Sequence, residues 1–243
     1  KKPFHEISDP AECDRWNSKL ERDTRAREFD EEIFKAAKEQ RERALLSPFY
    51  SKADLDERFG KGRWRALRRH GIWQGQYRKD GSQKIRGIDD GRSSEHNAGA
   101  AMRDTIMTTP PDIALQLVAW LCRNADDPAR LRELDFVMGS DDLQDAYHGV
   151  PNAPEQISFC IVAFRDPVRN VMCFAISYGH FFGLAAAVNN FNRLPELLTA
   201  VARRVGAAPT WHYFDDQGVL ELREGGRLAS HNAQAFVQEL FAL

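Results

Sequence analysis

The second half of the chain alternates strand-like and helical segments, and this order constrains the fold more than any other feature. From Leu134 onward the pattern is strand, short helix, two strands, long helix and two strands. Consecutive strands joined by short turns pair as antiparallel hairpins, and the helices then cover one face of the sheet. The sequence therefore predicts an α+β fold in which an antiparallel sheet carries two helices on one face.

Size and composition limit the class of protein. The 243 residues are 42% hydrophobic, which is enough for one large domain or two subdomains with a buried core. The longest apolar run is far shorter than the roughly 20 residues of a membrane span, and the N-terminus lacks the apolar core of a signal peptide. We expect an intracellular protein of the cytoplasm or nucleus that has no membrane partner and is not secreted.

The cysteines and histidines show no metal-binding pattern. The four cysteines lie far apart without Cys-x-x-Cys spacing, which predicts reduced thiols and argues against a zinc site and a disulfide framework. The seven histidines also lack ligand spacing, so we expect each to be a surface or packing residue.

Three helical segments are predicted in the first half of the chain. A strong helix start at Asp9 predicts one long charged helix from there to about Leu46, lying on a surface. A short helix is expected at residues 51–60, between a serine cap and a glycine stop. Residues 108–124 have an apolar stripe that includes Trp120, and this pattern predicts a buried core helix.

Residues 61–92 form the only strongly basic region, with ten Lys or Arg against three Asp, and contain Trp64, Trp73 and Tyr77. Two interpretations remain open. Arg and Lys beside aromatic rings suit contacts with phosphates and bases of nucleic acid, whereas a solvated basic face with buried aromatic anchors has the same composition. An Asp-Gly turn at residues 79–82 predicts a hairpin of two short strands within this region.

The last predicted hairpin carries two carboxylates at its tip. In the stretch WHYFDDQGVL, residues 211–220, Asp215 and Asp216 open an Asp-Asp-Gln-Gly turn between aromatic and aliphatic segments. An ordinary turn is the simpler explanation, because Asp and Gly favour turns. A metal site is the alternative, and other parts of the chain must decide between them.

Asp142 favours a metal site at the hairpin tip, although a single Asp after a strand is usually a helix cap. It ends the strand that begins near Phe136, in the same predicted sheet as Asp215. If the two strands are neighbours, their carboxylates converge and raise one another's pKa unless a cation separates them. Hard oxygen ligands select magnesium or manganese, and a pair of such ions catalyses phosphoryl transfer in polymerases.

Four motifs together resemble the fingers and palm of a reverse transcriptase of retrotransposon or retroviral type. They are KIRGIDDGRSSEHN at residues 84–97, DLQDAY at 142–147, GHFFGLAAAVNNFNR at 179–193 and YFDD at 213–216. Their order and spacing match that family, and the similarity extends over roughly residues 64–222.

The resemblance implies a metal site. Asp142 and Asp215 match the catalytic carboxylates that bind two Mg²⁺ ions, or Mn²⁺, and Asp216 matches the supporting carboxylate. The backbone carbonyl of Leu143 matches a further metal ligand.

The resemblance also implies a dNTP site, formed by Lys84, Arg86, Asp145, Ala146, Tyr147, Phe182 and Gly183. Tyr147 matches the aromatic residue that packs against the sugar and leaves no room for a 2′-hydroxyl, which favours deoxynucleotides. Lys84 and Arg86 match the fingers residues that bind the triphosphate. Asp90 and Arg92 fit the same motif as a structural ion pair.

In the family's terms the chain divides into an N-terminal helical extension (1–60), fingers (61–135) and a palm (136–243) with a fingers excursion at about 148–180. No thumb is visible, and the palm is expected to be truncated before it.

The implied activity is that of an RNA-directed DNA polymerase, with an RNA or DNA template, a primer strand and dNTPs as partners. Two alternatives remain. One is the palm of an RNA-dependent RNA polymerase, against which Tyr147 argues, and the other is a non-catalytic or domesticated fragment that binds nucleic acid or a partner protein.

Overall fold

The computed structural model describes residues 4–100, 105–124, 126–127, 135–143, 145–223, and 231, 232, 235, 237 and 239. The predicted strand start at Leu134 and the predicted end of the palm at residues 240–243 lie outside these residues. Two compact units are present. The first unit comprises Lys1–Arg103 and Tyr147–Val188, and the second unit comprises Asp104–Ala146 and Asn189–Leu243.

The chain is an α+β protein, as the sequence predicts. Its described helices and strands are α1 (Phe4–Ile7), α2 (Pro10–Arg22), α3 (Asp30–Glu42), α4 (Lys52–Phe59), β1 (Ala66–Tyr77), β2 (Gln83–Asp90), α5 (His96–Gly99), α6 (Ile113–Asn124), β3 (Phe136–Asp142), β4 (Ile161–Asp166), β5 (Val171–Ile176), α7 (Ala185–Arg204), β6 (Thr210–Tyr213) and β7 (Asp216–Leu222). Two 3₁₀ turns, Ala146–Gly149 and Pro154–Phe159, precede β4.

The first unit is built on a mixed four-stranded sheet with the order β2-β1-β4-β5. Strand β1 is antiparallel to β2 and parallel to β4, and β4 is antiparallel to β5. Strand β4 is buried on both faces of the sheet, since alternate residues of a strand point to opposite faces. Val162 and Phe164 of β4 pack with α3, whereas Ile161 and Ala163 pack in the cluster that contains residues of α2 and α4.

The second unit contains an antiparallel three-stranded sheet with the order β3-β7-β6. Its apolar cluster includes Leu198 and Ala202 of α7 together with Ala208 and Leu143. The five strands predicted from Leu134 onward therefore divide between two sheets. Strands β4 and β5 join the first unit because β4 pairs with β1, a partner far away in the sequence.

The single long N-terminal helix predicted up to Leu46 is wrong, because the helix breaks between Arg22 and Asp30. Asp23 stops α2 and accepts a hydrogen bond from the Arg68 guanidinium at 2.7 Å. The hydrogen bond from the Arg25 guanidinium, together with the charges of Arg68 and Arg27, lowers the pKa of Asp23 to about 2. A continuous helix would not place Asp23 in this half-buried contact with Arg68. The caps at Asp9 and Ser51 and the stop at Gly60 are confirmed.

The prediction that residues 108–124 form a core helix is only half correct. Helix α6 is present, but none of its residues, all of which are described, is buried, and Trp120 is 56% exposed. Periodicity identifies an apolar face, but it does not identify what covers that face. Within the part of the chain that the structure describes, no helix combines the length and apolar character that crossing a bilayer requires.

The prediction of reduced thiols agrees with the structure, and the prediction that each histidine is a surface or packing residue agrees for His96. All four cysteines are free, and burial raises the pKa of the Cys160 thiol to about 12. His96 is half-buried, with its ring nitrogens 2.8 Å from Ser94 Oγ and 3.1 Å from the Phe159 carbonyl oxygen. Burial lowers the pKa of His96 to about 4, so this imidazole is neutral at pH 7.

Candidate functional site

The hairpin of β6 and β7 turns earlier than the sequence predicts. Tyr213 pairs with Asp216, so the loop consists of Phe214 and Asp215 alone, and Asp216 already belongs to β7. The expected Asp-Asp-Gln-Gly turn is therefore wrong. A two-residue loop is favoured because its backbone twist matches the twist of the paired strands.

Phe214 holds this turn in a strained conformation. Its φ of 55° lies in the left-handed region, which the first central residue of a type I′ or II′ turn requires and which glycine usually supplies. A non-glycine residue in a sparsely populated region costs about 1–3 kcal/mol, and such strain clusters at functional sites. The Phe214 ring also packs edge-on against Tyr213, with centroids 5.0 Å apart.

The turn brings the YFDD carboxylates to the end of β3. Asp142 is the last residue of β3 and pairs directly with Asp216, while Asp141 pairs with Gln217. Directly opposite residues share a face with Cβ atoms roughly 4.5–5.5 Å apart. Asp142 and Asp216 therefore lie side by side on one face of the sheet, and Asp141 lies on the other.

A backbone hydrogen bond connects Asp215, the third carboxylate, to the end of β3. The Leu143 N–H donates to the Asp215 carbonyl oxygen at 3.1 Å, and the Leu143 carbonyl accepts from the Ala146 N–H at 3.2 Å. Asp145 lies between them with a φ of 55°. A carbonyl oxygen has two lone pairs, so that of Leu143 can accept this bond and still bind a cation.

The oxygen atoms of this cluster are the hard donors that magnesium or manganese selects. Two carboxylates paired across strands and a third in the adjoining turn fit such an ion chemically. In the described ranges, however, no three Asp, Glu, His or Cys side chains are gathered as a metal-binding group.

Gly218 is required for the packing of this hairpin. It pairs with Trp211, and a Cβ atom at Gly218 would lie 2.2 Å from Cε2 of the Trp211 indole. The indole therefore covers the glycine directly. This contact explains why the glycine lies within β7 and not in the turn.

We expect Gly218→Ala to lower the free energy of unfolding by about 1–3 kcal/mol, because the rigid indole must move out of its packed position. Urea denaturation of the full chain measures this change. Gly149→Ala is the matched control, because it adds the same methyl group where no atom lies within 4 Å. Equal midpoints for the two variants would contradict the packing role of Gly218.

Five of the residues predicted to bind the dNTP lie in the first unit, namely Lys84, Arg86, Tyr147, Phe182 and Gly183. Tyr147 and Phe182 pack edge to face with ring centroids 4.6 Å apart. The Arg86 guanidinium carbon lies 4.8 Å from the centroid of the Phe182 ring, which is a cation–π distance. Lys84 lies two residues before Arg86 on β2, and both side chains are exposed on the same face of the strand.

Gly183 allows the loop after Phe182 to touch β2. Its φ is 121°, and a Cβ atom at this position would lie 2.1 Å from the Asp89 carbonyl oxygen. The Asp89 N–H donates to the Phe182 carbonyl oxygen at 2.9 Å. Asn97 holds the loop from the other side, because its amide donates to the Gly183 carbonyl at 2.9 Å and accepts from the Ala185 N–H at 2.8 Å.

The expected ion pair between Asp90 and Arg92 is replaced by backbone contacts. Asp90 Oδ1 accepts from the N–H groups of Arg92 and Ser93 at 3.0 and 2.9 Å, and the Arg92 side chain is exposed. Short side-chain-to-backbone bonds of this kind favour Asp at turns. Asp90 therefore shapes the end of β2 and does not neutralise Arg92.

Each of the two interpretations of the basic region, residues 61–92, applies to a part of it. Trp64 is fully buried, and Arg65, Arg68 and Arg69 are buried as well. By contrast, Trp73 and Tyr77 are exposed by 45% and 64% at the far end of the β1–β2 hairpin, with ring centroids 5.8 Å apart. The inner half of the β1–β2 hairpin is thus largely structural, and its outer half presents aromatic together with basic groups to solvent.

Two residues without a predicted site role, Asn97 and Asp89, contact the predicted site residues. Asn97 stands at the end of the quoted KIRGIDDGRSSEHN motif but had no role there. Asp89 pairs with Arg69, and Gln40 of α3 binds that arginine in turn. The opposite charges of Arg69 and Asp89 would have indicated this ion pair if the register of β1 and β2 had been known.

No protein-family model and no curated protein matches the chain.

Proposed function

We propose that the chain is the fingers and palm core of a reverse transcriptase, an RNA-directed DNA polymerase that adds deoxynucleotides to a primer. The observation that carries this proposal is the pairing of β3 with β7, which sets Asp142 opposite Asp216 and next to the strained turn at Asp215. Carboxylates that close together favour a bound cation. The motif resemblance supplies the reaction, and the hairpin geometry supports it.

In the proposed reaction the oxygen of the primer 3′-hydroxyl forms a bond to the α-phosphorus of a dNTP. The bond from that phosphorus to the bridging oxygen breaks, and pyrophosphate leaves. Asp142, Asp215 and Asp216, with the Leu143 carbonyl, would hold magnesium. The bound metal would lower the pKa of the attacking hydroxyl and stabilise the charge on the leaving pyrophosphate.

The side chains of the first unit would bind and select the nucleotide. Arg86 and Lys84 would donate hydrogen bonds to the triphosphate, for which the planar guanidinium is suited because it binds two oxygens at once. The Phe182 ring already supports this guanidinium. Tyr147 would pack against the sugar at C2′, and the absence of a side chain at Gly183 would let the nucleotide approach the backbone.

The tip of the β1–β2 hairpin supports nucleic-acid binding. Trp73 and Tyr77 expose their rings, and Arg78 and Lys79 follow them directly. Bases of a single strand stack on such rings while cations neutralise the phosphates. These contacts would suit the unpaired part of a template.

Primer extension tests the proposal. The chain is incubated with a DNA primer annealed to an RNA template, magnesium and the four dNTPs, and products are separated by length. We expect template-directed products that disappear when magnesium is chelated. Extension with NTPs but not with dNTPs would instead indicate an RNA-dependent RNA polymerase. Duplex binding without any extension would indicate a non-catalytic nucleic-acid-binding protein.

Tyr147→Ala should relax the choice of sugar. Removal of the ring opens space at C2′, so we expect the preference for dCTP over CTP, expressed as the ratio of kcat/KM values, to fall by about 100-fold. Single-nucleotide extension with each substrate measures it. Tyr178→Ala is the control, because Tyr178 belongs to the same unit but is 48% exposed and stands outside the predicted site. An unchanged ratio in Tyr147→Ala would rule out a steric gate at this position.

A further inference from the structure

A polar network in the first unit joins the N-terminal helices to the residues proposed to bind the nucleotide. Gln40 lies near the end of α3. Its Oε1 accepts from Arg69 Nη1 at 2.6 Å, and its Nε2 lies 3.2 Å from His148 Nε2. One amide side chain therefore connects two different segments.

The first branch of the network leads to the loop of Phe182 and Gly183. Arg69 donates two hydrogen bonds to Asp89, from Nε to Oδ1 at 2.7 Å and from Nη2 to Oδ2 at 3.0 Å. The backbone of Asp89 in turn bonds to the Phe182 carbonyl and abuts Gly183. Since Arg69 and Asp89 are 7% and 2% exposed, this branch is rigid.

The second branch leads to Tyr147. His148 follows Tyr147 in the same 3₁₀ turn, and the carbonyl of Tyr147 accepts from the His180 N–H at 3.0 Å. Gln40 binds the imidazole of His148 and so limits the rotation of this turn. The rings of Tyr147 and Phe182, at the ends of the two branches, meet edge to face.

We propose that Gln40 is a positioning residue for the deoxynucleotide pocket. Gln40 sets the spacing of the Tyr147 and Phe182 rings. It acts on Tyr147 through His148, and on Phe182 through Arg69 and Asp89. This inference rests on the proposed polymerase function. It also gives α3 a role in substrate selection, although α3 lies outside the segment that resembles reverse transcriptases. No atom of Gln40 needs to touch the nucleotide for this effect.

Gln40→Met tests the inference, because methionine has nearly the same volume but forms neither hydrogen bond. Single-nucleotide extension is measured with dCTP and with CTP for the full chain. We expect KM for dCTP to rise about tenfold, the effect of one or two lost hydrogen bonds. We also expect the preference for dCTP over CTP to fall about tenfold, while kcat changes less than about threefold because the carboxylates of the second unit are untouched.

Two further variants separate positioning from general stability. Glu39→Met places the same side chain at the neighbouring exposed position of α3 and should behave as wild type. Gln40→Glu keeps an oxygen for Arg69 and a second oxygen that can accept from His148, so it should restore KM and sugar preference to within about threefold of wild type.

The outcomes are distinct. If Gln40→Met lowers kcat through a smaller folded fraction but leaves KM and sugar preference unchanged, Gln40 is merely structural and the inference is wrong. An equal loss in Glu39→Met would overturn it as well. If the wild-type chain extends no primer at all, the proposed function itself fails, and the inference fails with it.

Discussion

Asp215→Asn should reduce the rate of primer extension by about a thousandfold or more while changing the affinity for a primer–template duplex by less than about twofold. The substitution preserves the size of the side chain and the two-residue turn but removes one negative charge. A divalent cation bound by paired carboxylates depends on that charge, whereas duplex binding depends mainly on Lys and Arg. The measurement is primer extension, with duplex binding followed by fluorescence anisotropy at a fixed salt concentration.

Asp141→Asn is the matched control for Asp215→Asn. It removes the same charge from the residue next to Asp142, but on the opposite face of β3, where Asp141 pairs with Gln217. We expect extension within about threefold of wild type. Activity that survives in Asp215→Asn would exclude this carboxylate from catalysis. A comparable loss in Asp141→Asn would show that net charge matters and the position of the carboxylate does not.

The elements around the carboxylates could be predicted because their signals are local. A short apolar run at residues 136–138 identifies β3, and the Asp residues after Gly139 mark its end at Asp142. The same holds for the hairpin that carries Asp215, and for the cap at Ser51. In each case the interactions that decide the structure lie within a few residues.

The position of the turn could not be predicted, because it depends on a contact across the hairpin. Glycine at position 218 favours a turn when its neighbours in the sequence are considered alone. In the folded hairpin it lies opposite Trp211, where the indole covers its backbone. The strained φ of Phe214 is the consequence, since the tight loop then falls on a residue with a side chain.

The register of β1 and β2 escaped prediction for a similar reason. Counting back from the turn at residues 79–82 pairs Tyr77 with Gln83, as the structure does, but an irregularity between Trp73 and Tyr77 then shifts the pairing by two residues. Arg69 consequently faces Asp89 and not Gly91. Gly75 lies in this irregular stretch with a φ of 73°, but an isolated glycine indicates a bulge without giving the size of the register shift. The buried ion pair and its link to Gln40 therefore become visible only in three dimensions.

Breaking this ion pair should destabilise the first unit strongly. Arg69 and Asp89 have side chains that are only 5% and 2% exposed, and they form a two-bond guanidinium–carboxylate contact. Asp89→Leu leaves the arginine charged and without its carboxylate in the interior. We expect the free energy of unfolding to fall by about 3–5 kcal/mol, as measured by urea denaturation of the full chain.

A double variant distinguishes the loss of the pair from a loss of packing. Replacement of both partners, Arg69→Met with Asp89→Leu, removes the uncompensated charge, and we expect it to recover most of the lost stability. Glu12→Leu is the surface control, because it breaks the exposed contact of Glu12 with Arg15 and should change stability by less than about 1 kcal/mol. A double variant as unstable as Asp89→Leu would mean that shape complementarity, and not the unpaired charge, dominates at this site. If the double variant recovers stability but not the wild-type KM for dCTP, the Arg69–Asp89 pair, like Gln40, positions the nucleotide pocket.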